Sequence, residues 1–108
     1  MKLLTKEIIR KLKKYPLYSQ SALNRDAKII FKIFNPYGAG TWLVLEGEEQ
    51  SDGDWLFYGL VHIFEWELGY FTLSQLEEIK FFNGQLGLER DLYFESGSTI
   101  REVVGDEF

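Results

Sequence analysis

The sequence predicts an α+β fold, an antiparallel meander sheet of about four to five strands with an N-terminal helix and one or two short helices packed on it. Three observations carry that expectation. Apolar residues recur at strand spacing through Ala27–Phe34, Thr41–Glu46 and Trp55–Phe64. Turn-forming residues separate these runs, at Asn35–Gly40 and at Ser51-Asp52-Gly53-Asp54. A capped amphipathic segment precedes all three.

That first segment predicts a helix over Lys6–Lys14. Thr5 is placed to cap it, and Leu4 and Ile9 have the spacing of a hydrophobic staple. Ile8, Ile9, Leu12 and Tyr15 share one face, and Pro16 ends the helix because the residue before proline avoids the α region. After the polar stretch Leu17–Asp26, the first strand alternates Ala27, Ile29, Phe31 and Ile33 with Lys28, Ile30, Lys32 and Phe34. The second strand covers Thr41–Glu46. The third, Trp55–Phe64, is apolar on both faces and is expected at the centre of the sheet. Gly59 inside it signals a bulge or a close backbone approach. Glu65–Gly69 reads as a connection and Tyr70-Phe71 as a short fourth strand. Thr72 with Gln75 has capping-box spacing, which predicts a second helix over Leu73–Phe81, ended by Asn83-Gly84. Leu92–Phe94 reads as a last strand, and Ile100–Val104 as a short helix.

Composition bounds the function classes. A chain of 108 residues with 45% hydrophobic and 17% aromatic residues is expected to form a single domain, residues 1–108, around a ring-filled core. With no cysteine, disulfides, thiolate nucleophiles and cysteine-based metal sites are excluded, and a reducing compartment fits best. No apolar run has the length of a signal peptide or a membrane span, so the expectation is a cytoplasmic protein without a membrane partner. Net charge is −5 but unevenly placed, with nine cations and two carboxylates in residues 1–36 against three cations and fifteen carboxylates in residues 37–108. That asymmetry predicts two segregated, oppositely charged surfaces.

The strings FEWELGYFTLSQLE (Phe64–Glu77) and GLERDLYFE (Gly87–Glu95), with LLTKEIIRKL (Leu3–Leu12) and FYGLV (Phe57–Val61), span nearly the whole chain. They resemble a bacterial family catalogued as domain of unknown function twenty-nine fifty-eight. Lys80–Gln85 and Asn35–Gly40 depart from its pattern. The resemblance implies a setting on plasmids, conjugative elements and phages, and it carries over no activity, cofactor or catalytic residue.

Candidate chemistry is sparse. Glu46, Glu48, Glu49, Asp52 and Asp54 form an acidic stretch, and aligning its Gly53 with the invariant glycine of a calcium loop puts Glu48, Gln50, Asp52 and Asp54 at ligand positions. The bidentate twelfth position then falls on Gly59, which has no side chain, and a solvated hairpin tip is the better reading. Glu65, Glu67, Glu89 and Asp91 could hold a divalent ion for metal-assisted hydrolysis if their loops converge. Otherwise Arg90 pairs with one of them. His62 is the single histidine, which leaves no His–His metal site. No phosphate-binding or nucleophile motif is present, so no cofactor is expected.

Binding is the leading expectation, with a protein partner ahead of nucleic acid. The charge polarity and the ring content suit an interface, including head-to-tail contact between copies. Lys6, Arg10, Lys13, Lys14, Lys28 and Lys32 are the basic candidates, and Trp66 and Tyr70 the aromatic ones. The same lysines could instead follow a phosphate backbone.

Overall fold

Local capping starts each of the three α-helices. A computed structural model describes all 108 residues. Helix α1 (Lys6–Leu12) begins at Thr5, whose Oγ1 accepts from the Ile8 amide at 3.3 Å. It turns the buried Ile8 and Leu12 inward, and it ends two residues earlier than its periodicity suggests. Helix α2 (Leu73–Glu77) has the full Thr72/Gln75 capping box, and α3 (Ile100–Val104) has another from Thr99 and Glu102. No helix is long and apolar enough to cross a membrane.

The sheet is antiparallel, with strands β1 (Phe31–Phe34), β2 (Thr41–Glu49), β3 (Trp55–His62), β4 (Trp66–Thr72) and β7 (Glu89–Arg90) in the spatial order β4-β3-β2-β1-β7. The first four form a meander, and β7 returns to the far side of β1. A separate hairpin pairs β5 (Lys80–Phe81) with β6 (Leu86–Gly87). The α+β class and the meander expected from the sequence are therefore present.

Three element assignments change. Trp66–Gly69 is strand, because Trp66, Leu68 and Tyr70 alternate against β3 in register with His62, Leu60 and Tyr58. The second helix stops at Glu77, and Asn83-Gly84 closes the β5–β6 hairpin, with Phe82, Asn83 and Gly84 all at positive φ. Leu92–Phe94 is a turn, because the Asp91 carboxylate accepts from the Tyr93 amide at 2.9 Å and folds the chain away from β1. The last strand is instead the polar pair Glu89–Arg90.

The sheet is covered on both faces, so the interior has two compartments. On one face, Phe31, Trp42, Trp55, Phe57 and Phe71 pack beneath α1 and Leu76 of α2. Phe57 is its hub, with ring centroids of Phe31 at 5.8 Å, Phe71 at 5.9 Å and Trp55 at 6.3 Å. On the other, Ala27, Ile29, Leu43, Leu45 and Leu60 pack against Ile100 and Val104 of α3. The ring-filled core expected from composition is one compartment, and the second is aliphatic. Ala27 and Ile29 belong to the second although Phe31 and Ile33 belong to the first, so the alternation expected through Ala27–Phe34 breaks between Ile29 and Phe31.

A β-bulge at Leu45 organises the second compartment. The register between β2 and β3 shifts between Val44 and Glu46, and Gly59 faces the bulge. A Cβ on Gly59 would lie 2.2 Å from the Leu43 carbonyl oxygen, so only glycine fits there. The extra residue returns Gly47 to the face beneath Phe57 and turns Glu46 onto the other. Glu46 is 1% exposed, and its two carboxylate oxygens accept from the Tyr18 and Gln20 amides, each at 2.8 Å. The Gln20 side chain donates to the Leu45 and Lys28 carbonyls and accepts from the Lys28 amide. Glu46 is thus a buried anchor for the 17–26 segment, not part of a solvated hairpin tip.

Candidate functional site

The candidate binding residues fall on two separate surfaces. Trp66 and Tyr70 lie on β4 with Leu68 between them, all on the α3 side of the sheet. Trp66 stacks obliquely on His62, with centroids 4.8 Å apart, and its indole N–H donates to Glu107 at 3.2 Å. Tyr70 packs on Tyr58 at 4.8 Å. Partial desolvation, then the neighbouring Tyr18 hydroxyl, push the Tyr70 phenol above its ordinary range. Tyr18 is held beside Tyr70 because Glu46 fixes its amide and Tyr18 itself sits at φ 73°. Tyr18, Leu68 and Tyr70 are all exposed.

This row borders an open strand edge. β4 is the outermost strand on its side, seven residues long, and Glu67 is its one charged residue. Outermost on the opposite side is β7, only two residues long. Short strands and edge charges are how sheets discourage pairing, and β4 uses little of either. The Ile63–Glu65 turn next to it exposes Phe64 almost completely.

The basic residues separate along α1. Lys6 and Lys14 face a groove between α1, β1 and the 91–97 segment, and Lys28 borders its far end. Lys13 lies on the opposite flank of the helix, near Glu48 and Glu49. Arg10 points to solvent outside both clefts. Lys32 also leaves the expected set, because it pairs with Asp91 at 3.5 Å.

The carboxylates do not converge. Glu65 and Glu67 lie at the β4 edge, while Glu89 and Asp91 lie at and beside β7, the other edge. Glu67, Val61, Trp42, Ile33 and Arg90 form one row across the five strands. Four strand spacings, roughly 19 Å, therefore separate the two pairs. A shared ion would need them within a few ångström, so these four carboxylates do not form one metal site. Arg90 does not pair with these acids either. Its guanidinium donates to the Lys2 and Leu3 carbonyls and pins the N-terminal residues to β7.

Charge is less segregated in space than along the chain. Arg25 pairs with Asp106 and Lys32 with Asp91, so the basic front meets the acidic back at two points, and the front's Asp26 pairs in turn with the back's Arg101. Two features escaped sequence reasoning. One is the Glu46–Gln20 anchor, whose signal was Gly59. The other is the exposed Leu92-Tyr93 pair, of which Leu92 lines the groove, and whose signal was Asp91.

No curated protein and no solved structure matches the chain. A family model described as a protein of unknown function, DUF2958, matches residues 3–105, and with nearly every residue covered the chain belongs to that family.

Proposed function

We propose that this is a binding protein whose partner is another polypeptide, added as an extended segment to the open edge of β4. The carrying observation is the seven-residue outer strand with one charge, bordered by exposed Tyr18, Leu68 and Tyr70. An added strand gains affinity from main-chain hydrogen bonds and specificity from pockets for alternate side chains. Here the exposed row of Tyr18, Leu68 and Tyr70 supplies the surface that those side chains meet. Glu65, Glu67 and Glu107 are exposed near the Trp66 end, so the partner segment carries a lysine or arginine there, between alternating apolar residues.

The setting proposed with this function is a bacterial mobile genetic element, in line with the family resemblance. The proposed location is the cytoplasm, where a chain without cysteine has no use for an oxidising compartment.

Selection from a random-peptide display library tests the reading. Enriched peptides should alternate apolar residues with a basic residue near one end. They should shift the backbone amide resonances of β4, and they should lose affinity for Leu68→Lys. Selected peptides that leave the β4 amides unmoved would refute it.

A further inference from the structure

The groove beside α1 is a second surface, independent of the β4 edge. It consists of two adjoining clefts of about 410 Å³ and about 200 Å³ that share Lys11, Ile30 and Ser96. Its floor is apolar, formed by Ile30, Phe31 and Phe94. Along its walls stand Lys6, Lys11, Lys14, Lys28 and Arg90 against two carboxylates, Glu7 and Asp91. The surplus is positive in a chain whose net charge is −5.

Both carboxylates are already engaged. Glu7 faces Lys11 at 3.7 Å and Asp91 faces Lys32 at 3.5 Å. Lys6, Lys14 and Lys28 have no carboxylate partner. Leu92 and Phe94 line the groove, and Tyr93, between them on the Asp91 turn, is 97% exposed. An exposed ring on a hydrogen-bonded turn that borders a groove with unpaired ammonium groups offers the two elements that base stacking and phosphate contact require.

We propose that this groove binds a single strand of nucleic acid, with phosphates at Lys6, Lys14 and Lys28 and a base stacked on Tyr93. Duplex is excluded by size, because a cleft running the length of α1, about 11 Å, admits one strand and only a few nucleotides. An acidic peptide suits the groove less well. Extended peptides bind through main-chain hydrogen bonds, and β1 is paired on both sides, with β2 and β7. Beyond β7, the Ile29, Ile30 and Lys32 carbonyls are taken by the Gly97 amide, the Ser96 hydroxyl and the Asp91 amide. Nucleic acid needs only the cations and the ring.

Fluorescence anisotropy with labelled oligothymidylate, the matching duplex and a polyglutamate peptide tests the assignment. The single strand alone should bind, and its affinity should fall roughly 20-fold between about 50 and about 200 mM salt, as three phosphate contacts dictate. Alanine at Lys6, Lys14 or Lys28 should each flatten the log–log salt slope by about 0.7. Tyr93→Ala should weaken binding at least about fivefold. Lys13→Ala, on the other flank of α1, should change neither. Each of these side chains is exposed, so circular dichroism should show an unchanged fold. Absence of single-strand binding at low salt, equal binding of duplex or polyglutamate, or a Lys13→Ala effect equal to those in the groove would each overturn the proposal.

Discussion

Replacing Glu46 with alanine should be among the most costly single changes in this protein. The carboxylate is 1% exposed and is the acceptor for two backbone amides, Tyr18 and Gln20, both at 2.8 Å. Hydrogen bonds to a carboxylate contribute about 1.5–3 kcal/mol each, and amides left buried without an acceptor add their desolvation cost. Taking about 4 kcal/mol for the pair, and a urea m-value of about 2 kcal/mol per molar for a chain of this size, the unfolding midpoint should drop by roughly 2 M. That is a large part of the ~5–15 kcal/mol typical of a domain. Glu46→Gln is the informative companion. It keeps the volume and one acceptor oxygen but turns an amide NH₂ toward the other backbone donor, and it should lose about 1–3 kcal/mol. Urea melts followed by tryptophan fluorescence read both variants. If Glu46→Ala unfolds within about 0.5 kcal/mol of the parent, the range of an ordinary surface change, the anchor has been misread.

Gly59→Ala should destabilise by at least about 3 kcal/mol, because a Cβ 2.2 Å from the Leu43 oxygen forces the bulge apart, and a thermal melt within a degree of the parent would contradict this. Leu12→Ala, at a fully buried position where α1 meets the ring-filled compartment, should cost about 2–5 kcal/mol by chemical denaturation. The Asp54 carboxyl is held below its ordinary value chiefly by the Ser74 hydroxyl at 2.6 Å, assisted by the Trp55 and Ser74 amides. A depressed folded-state pKa contributes stability above the unfolded pKa and loses it as pH falls through the folded one. Ser74→Ala should therefore raise the Asp54 pKa toward its ordinary value, seen by carboxyl NMR titration, and should flatten the loss of stability below about pH 4. In a spectrophotometric titration Tyr70 should ionise above the ordinary tyrosine value, and Tyr18→Phe should bring it down.

What the sequence made legible depended on how local the cause was. Thr5, Thr72 and the Ile8/Leu12 spacing act within one or two turns of helix, and those helices start where they were expected. The errors gather at sheet edges and closures, where distant partners decide. Trp66-Glu67-Leu68-Gly69 looks like a connection because an outer strand exposes Glu67 without cost. Leu92-Tyr93-Phe94 looks like a strand because composition cannot show that the Asp91 turn swings Tyr93 into solvent. Glu46 was misplaced for a related reason. An unbroken pleat would set it on the face of Trp42 and Val44, and the extra residue at Leu45 moves it to the other. The basic candidates were visible as a composition bias, but dividing them between groove, outer helix face and ion pair required the 91–97 segment, about eighty residues downstream of α1.

The ion pairs that join basic front to acidic back bear directly on which binding modes survive. Arg25 and Lys32 each meet an acid of the back, and Arg101 of the back meets Asp26 of the front, so the basic pole is narrower than the charge count along the chain suggests. Head-to-tail association of two opposite poles weakens for the same reason. What persists is a local surplus, the cations that line the groove from Lys6 on α1 to Lys14 just past it and Lys28 before β1. At physiological salt the screening length is ~8 Å, shorter than the 23 Å thickness of the molecule. Acids on the far side of the sheet are therefore screened from a ligand in the groove, while Lys6, Lys14 and Lys28 act within reach of it. The overall charge of −5 then works as a selector: a long duplex lying across the surface meets the acids, and a short strand seated in the groove meets mainly the lysines.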